Sequence, residues 1–174
     1  FAACREKGIR IFGTNEDFPQ LDVFKYSGWL LVKLLLEAQV DLSESRVLIV
    51  SGDKFGKVLY NLLKRIGVDA DLRPGLTGNL SIVSDYDTIV IADYAREGIV
   101  IGEWGDLTVA EFSTVFSENV TVVQFAGQVD VAGLKENGIS VYPDVELEPH
   151  RMAETLGYLG ADPVIKLHTA GLKI

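Results

Sequence analysis

Two short stretches bring together residue types able to do chemistry. The first is Val50-Ser-Gly-Asp-Lys-Phe-Gly56, where the apolar run Arg46-Val-Leu-Ile-Val50 gives way to a Gly-bearing turn and then to a helical pattern from about Lys54 to Ile66. A strand, a tight turn and a helix N-terminus in that order aim backbone N–H groups and the positive end of a helix dipole at one point, which suits a phosphate. With Gly56 as the third glycine of a G-x-G-x-x-G fingerprint, Ser51 falls at the first position and Asp53 at the second, so one glycine of three survives. The second glycine normally lets the backbone approach a pyrophosphate, whereas a carboxylate there adds bulk and repulsion; Gly52 allows a different turn. The stretch therefore reads either as a phosphate cradle formed by Ser51, Gly52, Asp53, Lys54, Phe55 and Gly56, or as a plain strand-to-helix turn. Some 20 residues on, where a ribose-binding acid is expected, stands Asp69-Ala-Asp-Leu-Arg-Pro74. Arg73 suits a 2′-phosphate and hence NADP, Asp71 suits the ribose hydroxyls of NAD, and a solvated strand-end arginine is the bland alternative.

The second stretch is Asp144-Val-Glu-Leu-Glu-Pro149, followed 20 residues after Glu148 by His168-Thr-Ala-Gly171. Without further context these are a solvated loop acid and a strand-end histidine. Together they resemble the D-2-hydroxyacid dehydrogenases, in which the glutamate of an Asp-Val-x-x-Glu-Pro motif pairs with the histidine of a later His-x-Ala-Gly or His-x-Gly-Gly motif. Ala2 to Thr14 resembles the segment leading into that family's cofactor domain, and Asp22 to Ala38 resembles its interdomain helix, so the resemblance runs along essentially the whole chain. It implies NAD or NADP as cofactor, a small-molecule substrate, a homodimer, and an acid/base pair in which His168 protonates an oxo group while Glu148 holds the ring. A carboxylate beside an imidazole orients it and favours its protonated form.

One family element is missing. The arginine of an Asn-x-x-Arg-Gly segment, whose planar fork grips a substrate carboxylate, is replaced by Ala126 before Gly127. That departure points to a substrate other than a simple 2-oxo acid. Arg96, just past the run Thr88 to Ala92, is the candidate replacement, or else a loop cation in water. His150 matches no family position and reads as surface; Trp29, Tyr94 and Trp104 read as packing or interface residues. A competing reading, which Ser51, Asp53 and Ala126 fit, is a non-catalytic binding or assembly module that kept the sheet and lost dinucleotide binding.

The elements holding these residues follow from the hydrophobic pattern. Strands are expected at Arg10–Phe12, 46–50, 69–72, 88–92, 120–124, 140–142 and 164–167, with helices at 22–39, 54–66, 109–116 and 131–137. Strands without alternation are buried on both faces, and their alternation with helices predicts an α/β fold, a Rossmann-like doubly wound, mostly parallel sheet with helices on both faces. Residues 1–44 read as an interdomain segment and helix, residues 45–174 as the nucleotide-binding domain. Ligands of such sheets lie at the carboxyl ends of the strands.

Composition narrows the class. The 174 residues carry 16 Lys and Arg against 25 Asp and Glu, a net charge of −9, without the basic footprint that nucleic acid requires. One cysteine, Cys4, forms no internal disulfide and no multi-cysteine metal site, which fits a reducing, cytoplasmic setting. The longest apolar stretch, Trp29 to Val40, is too short for a bilayer; its apolar residues all round predict a buried helix in a core or at a dimer contact. The start at Phe1 inside an amphipathic segment and the abrupt end at Ile174 read as a piece of a longer polypeptide.

Overall fold

The computed structural model of the chain describes residues 1–13, 15, 18, 21, 23–78, 85–116 and 119–172. After a short helix α1 (Ala2–Glu6) come α2 (Val23–Glu37), β1 (Arg46–Val50), α3 (Lys54–Arg65), β2 (Asp69–Arg73) and β3 (Thr88–Ala92). Then follow α4 (Val109–Val115), β4 (Thr121–Ala126), α5 (Val131–Glu136), β5 (Ser140–Tyr142), a 3-10 turn at Leu156–Leu159, and α6 (Ala161–Leu172). Among the described residues the strands pair in parallel, in the order β2-β1-β3-β4-β5.

The uninterrupted apolar runs explain the layering. Residues 47–50 and 89–92 are fully buried, because alternate side chains enter two different cores. Leu48, Val50, Ile89, Ile91 and Val122 pack on one face with Phe112 of α4 and Leu134 of α5. Val47, Ile49, Val90, Val123 and Phe125 pack on the other with α2 and α3. Helices thus cover both faces, as the pattern predicts. Leu30, Leu31, Leu34 and Leu35 of α2 are completely buried in that second core, so most of this helix's apolar surface is satisfied within the chain; Trp29 and Leu36 remain exposed.

Local signals set the helix ends. Asp53 caps α3, its carboxylate accepting from the N–H of Phe55, and Gly67 ends it at φ +90°. Thr108 and Glu111 close a reciprocal capping box on α4. At the far side of α2, Tyr142 and Tyr158 both donate their hydroxyls to Glu37 Oε2, at 2.7 and 2.6 Å. Those two bonds hold the Glu37 carboxyl below the usual carboxylate range, that from Tyr158 contributing most.

Two expected strands are absent. Arg10–Phe12 is irregular and exposed; a strand needs a hydrogen-bonding neighbour, and the sheet offers this segment none. The run 164–167 lies inside α6 instead: Asp162 and Pro163 occupy its first turn, where proline's missing N–H costs nothing, and Lys166 Nζ lies 2.6 Å from the Tyr26 hydroxyl of α2. Asp22, expected to begin the helix at 22–39, lies outside the described residues, as do Thr14 and the last two residues.

Candidate functional site

In a 2-1-3-4-5 sheet the connections leave in opposite directions at β1 and β3, and the crevice opens at the carboxyl ends of those two strands. Ser51, Gly52 and Asp53 follow β1 there, and Asp93 and Tyr94 follow β3. The Ser51 to Gly56 turn therefore stands at the crevice, as its strand-turn-helix pattern predicts. Gly56 presses α3 against β1: a Cβ on it would lie 2.6 Å from Ser51 Cβ and 2.8 Å from Leu72 Cδ1. That is the close helix–strand approach for which the third fingerprint glycine serves.

The donors of the turn are already engaged. Ser51 Oγ accepts from the N–H groups of Gly56, at 3.1 Å, and Asp53, at 3.3 Å, and donates to Asp53 Oδ1 at 3.1 Å. Asp53 Oδ1 also accepts from Phe55 N–H at 2.8 Å, while its Oδ2 accepts from Ala95 N–H, in the loop after β3, at 3.1 Å. The Gly52 N–H donates to the carboxylate of Asp93, whose oxygens lie 3.6 Å from where a Gly52 Cβ would be. Burial pushes the Asp93 carboxyl above its ordinary range; the Gly52 N–H and Arg96 oppose this, and the charges of Asp53 and Asp106 add to it. Phe55 fills space beside the turn, its ring 5.5 to 5.7 Å from those of Phe24, Tyr94 and Phe125. Lys54 Nζ sits 4.1 Å from the Phe24 ring centroid.

The two residues considered for cofactor preference separate. Arg73 ends β2 opposite Val50, beside the turn, its carbonyl accepting from Ser51 N–H at 2.9 Å and its guanidinium donating to the Thr77 carbonyl at 3.2 Å. Asp71 sits mid-strand opposite Leu48 and is committed to the Tyr86 hydroxyl at 2.7 Å and to Arg46 at 3.4 Å. Burial, followed by that bond, pushes the Tyr86 hydroxyl up to about 12. Asp71 therefore does not face a ribose site.

Arg96 does reach the carboxyl edge, but its guanidinium donates to Asp106 Oδ1 at 2.7 Å, both side chains being largely buried. Asp106 Oδ2 accepts from Leu76 N–H at 2.8 Å, so this pair ties the loop after β2 to the loop after β3. The expected substitute for the missing substrate arginine is thus an internal strut.

Glu148 and His168 are not brought together by any hydrogen bond or ion pair among the described residues. Because 161–172 is helical, His168 rides an exposed face of α6 rather than a strand end, and Glu148 is exposed in the loop after β5. The crevice rim instead holds His150. Its Nδ1 lies 3.0 Å from the Tyr94 carbonyl oxygen, its Nε2 3.3 Å from Glu97 Oε1, and its ring 6.0 Å from that of Tyr94. The chain takes φ +57° there, and the Ala126–Met152 bridge brings this loop to the end of β4. Neither Asp93 nor His150 stands out from the sequence pattern. Asp93 was findable as the residue directly after a buried strand, whereas His150 depends on how the loop after β5 folds back. Among the described residues no group of His, Cys, Asp and Glu is arranged to hold a metal, and no helix is long and apolar enough to cross a membrane.

The fold recurs in solved structures. A dipicolinate synthase polypeptide from Bacillus subtilis matches over 99% of this chain with a TM-score of 0.63 at 9% identity. The corresponding dipicolinate synthase polypeptide from Bacillus halodurans matches over 99% with 0.60 at 11% identity. The fold is Rossmann-like. The chain spans 60% of the length of each of those two proteins. A D-isomer specific 2-hydroxyacid dehydrogenase from Xanthobacter autotrophicus Py2, in complex with NADPH and MES, matches with 0.51 at 13% identity, over 99% of this chain and 92% of that one. At these identities the likeness is one of fold. No family model and no curated protein matches the sequence.

Against NAD or NADP, the Rossmann-like turn fits in part. Gly56 gives the required helix–strand approach and Gly52 is exposed at the crevice, but the N–H groups of residues 52, 53, 55 and 56 are bonded to the chain's own oxygens. As folded, the turn does not fit a pyrophosphate.

Proposed function

We propose that this chain is the NAD(P)-binding domain of a D-2-hydroxyacid dehydrogenase-like oxidoreductase that acts on a small molecule other than a simple 2-oxo acid. The observation that carries the reading is Gly56 packed without room for a Cβ between Ser51 and Leu72, at the β1/β3 switch point of a Rossmann-like sheet. The resemblance of Glu148 to Gly171 to the family's motifs supports the substrate class; the replacement of the arginine by Ala126 and the commitment of Arg96 to Asp106 support the departure from 2-oxo acids.

Calorimetric titration of the chain with NADPH and with NADH tests this. Saturable binding with Kd below about 1 mM is expected. NADPH is expected to bind about tenfold more tightly than NADH, because Arg73 at the end of β2 suits a 2′-phosphate; Arg73→Ser is expected to erase that preference. No binding of either nucleotide, to this chain or to a variant freed of the Asp53 carboxylate, would overturn the reading.

A second reading, a binding or assembly module that has lost the dinucleotide, is favoured by one observation: the turn's donors are internally satisfied. Under either reading a homodimer is proposed, with Trp29 and Leu36 of α2, which stay exposed beside the buried leucines, at the contact. Sedimentation at micromolar concentration is expected to give a dimer, and Leu36→Glu a monomer.

A further inference from the structure

We infer that Asp53 is an internal stand-in for the ligand's phosphate, so that the nucleotide crevice is closed in the resting fold and opens only when this carboxylate leaves. The inference rests on the nucleotide-binding reading above and adds what controls entry. An ordinary helix cap uses one carboxylate oxygen on its own first turn. Asp53 does this through Oδ1 on Phe55 N–H, yet its Oδ2 crosses the crevice to Ala95 N–H, in the loop after β3. One anion therefore bridges the two loops that flank the switch point, the place where a dinucleotide's anion would lie. Asp93 does the same in reverse, reaching from β3 to the Gly52 N–H. With Ser51 Oγ on the N–H groups of Asp53 and Gly56, a phosphate entering this turn finds its donors occupied and meets two carboxylates.

Two consequences follow from the charges. A pyrophosphate brings negative charge to within a few ångströms of Asp53, and removing that carboxylate releases both the repulsion and two N–H donors. Asp93 remains in place, so the released donors are those of Phe55 and Ala95, on opposite walls of the crevice.

The experiment titrates the full chain, Asp53→Gly and Asp53→Asn with NADPH and NADH by calorimetry, and separately measures the melting temperature of each with and without inorganic pyrophosphate. Asp53→Asn keeps the cap acceptor for Phe55 N–H and loses the charge and the acceptor for Ala95 N–H, so it covers the case in which the glycine variant folds poorly; circular dichroism checks both. Nucleotide affinity is expected to rise at least tenfold in either variant, and pyrophosphate to raise the melting temperature of the variants but not of the parent chain. Equal nucleotide affinity in all three proteins would overturn the inference and leave the nucleotide reading standing. A variant melting shift with pyrophosphate but no nucleotide binding would support the closed cradle and overturn the nicotinamide reading. Silence in every arm would overturn both.

Discussion

Gly56→Val is expected to cost about 3 kcal/mol of stability, lowering the melting temperature by about 6–12 °C for a chain of this size. The cause is steric and local. Even a lone Cβ at position 56 would sit 2.6 Å from Ser51 Cβ and 2.8 Å from both Ser51 Oγ and Leu72 Cδ1, well inside van der Waals contact. Ser51 is buried at the end of β1 and bonded to Gly56 N–H at 3.1 Å, so it cannot step aside without giving up the turn. Valine adds two methyl groups to that conflict, and α3 must lift from the sheet. Gly28→Ala is the informative contrast. Its Cβ would meet Leu62 Cδ2 at 2.7 Å and Leu62 Cβ at 3.2 Å, but the nearer atom is the far end of a side chain that can turn, and alanine gains helix propensity of about 1 kcal/mol over glycine. Its net effect is expected to stay within about 1 kcal/mol. Urea unfolding of both variants checks the pair: a lower midpoint at unchanged slope for Gly56→Val, and little movement for Gly28→Ala.

The second large effect belongs to Asp106. This carboxylate joins Arg96, at 2.7 Å, to Leu76 N–H, at 2.8 Å, and removing one partner of a largely buried ion pair leaves the other charge without compensation. Asp106→Asn is expected to cost about 2–3 kcal/mol near pH 7. Burial alone would push the Asp106 carboxyl up, but the hydrogen bonds from Arg96 and Leu76 and the charge of Arg96 outweigh it, and the carboxyl is held below its ordinary range. A folded value below the unfolded one means that the ionised pair stabilises the fold above about pH 4 and loses that contribution as the pH falls through the folded value. The gap between the parent chain and Asp106→Asn should therefore be full at neutral pH and shrink below about pH 4. A gap that stays constant down to acid pH would assign the effect to packing rather than to the ion pair.

Asp93 has the opposite sign. Burial raises its carboxyl, with the charges of Asp53 and Asp106 adding to the effect, so its ionisation weakens the fold as pH rises through the folded value. Asp93→Asn keeps an acceptor for Gly52 and is expected to raise the melting temperature at neutral pH, with the gain disappearing in acid. Losses of stability at Asp106 and gains at Asp93, whose charges act on each other, separate a strut from a strained charge. Thermal melts between about pH 2.5 and 8 read both.

By itself the sequence determined the fold class, a doubly wound α/β sheet, because unbroken apolar runs such as Val47 to Val50 and Ile89 to Ala92 have one economical outcome: strands buried on both faces with helices between them. It also determined where α3 begins and ends, since Asp53 and Gly67 act through bonds and dihedrals a few residues away. Only the tertiary structure decided the rest. Arg10–Phe12 has strand-like residues but no neighbouring strand to bond, and the strand-like run 164–167 became helix on packing against α2. The second carboxylate oxygen of Asp53 finds Ala95, Arg96 finds Asp106, and His150 finds the Tyr94 carbonyl, through contacts between segments apart in the chain. Local pattern specifies elements because helix bonds and caps are short-range and the apolar runs that become buried strands are contiguous, whereas a polar side chain's partner is fixed only when distant segments are brought together, and that is why the site was less legible than the fold.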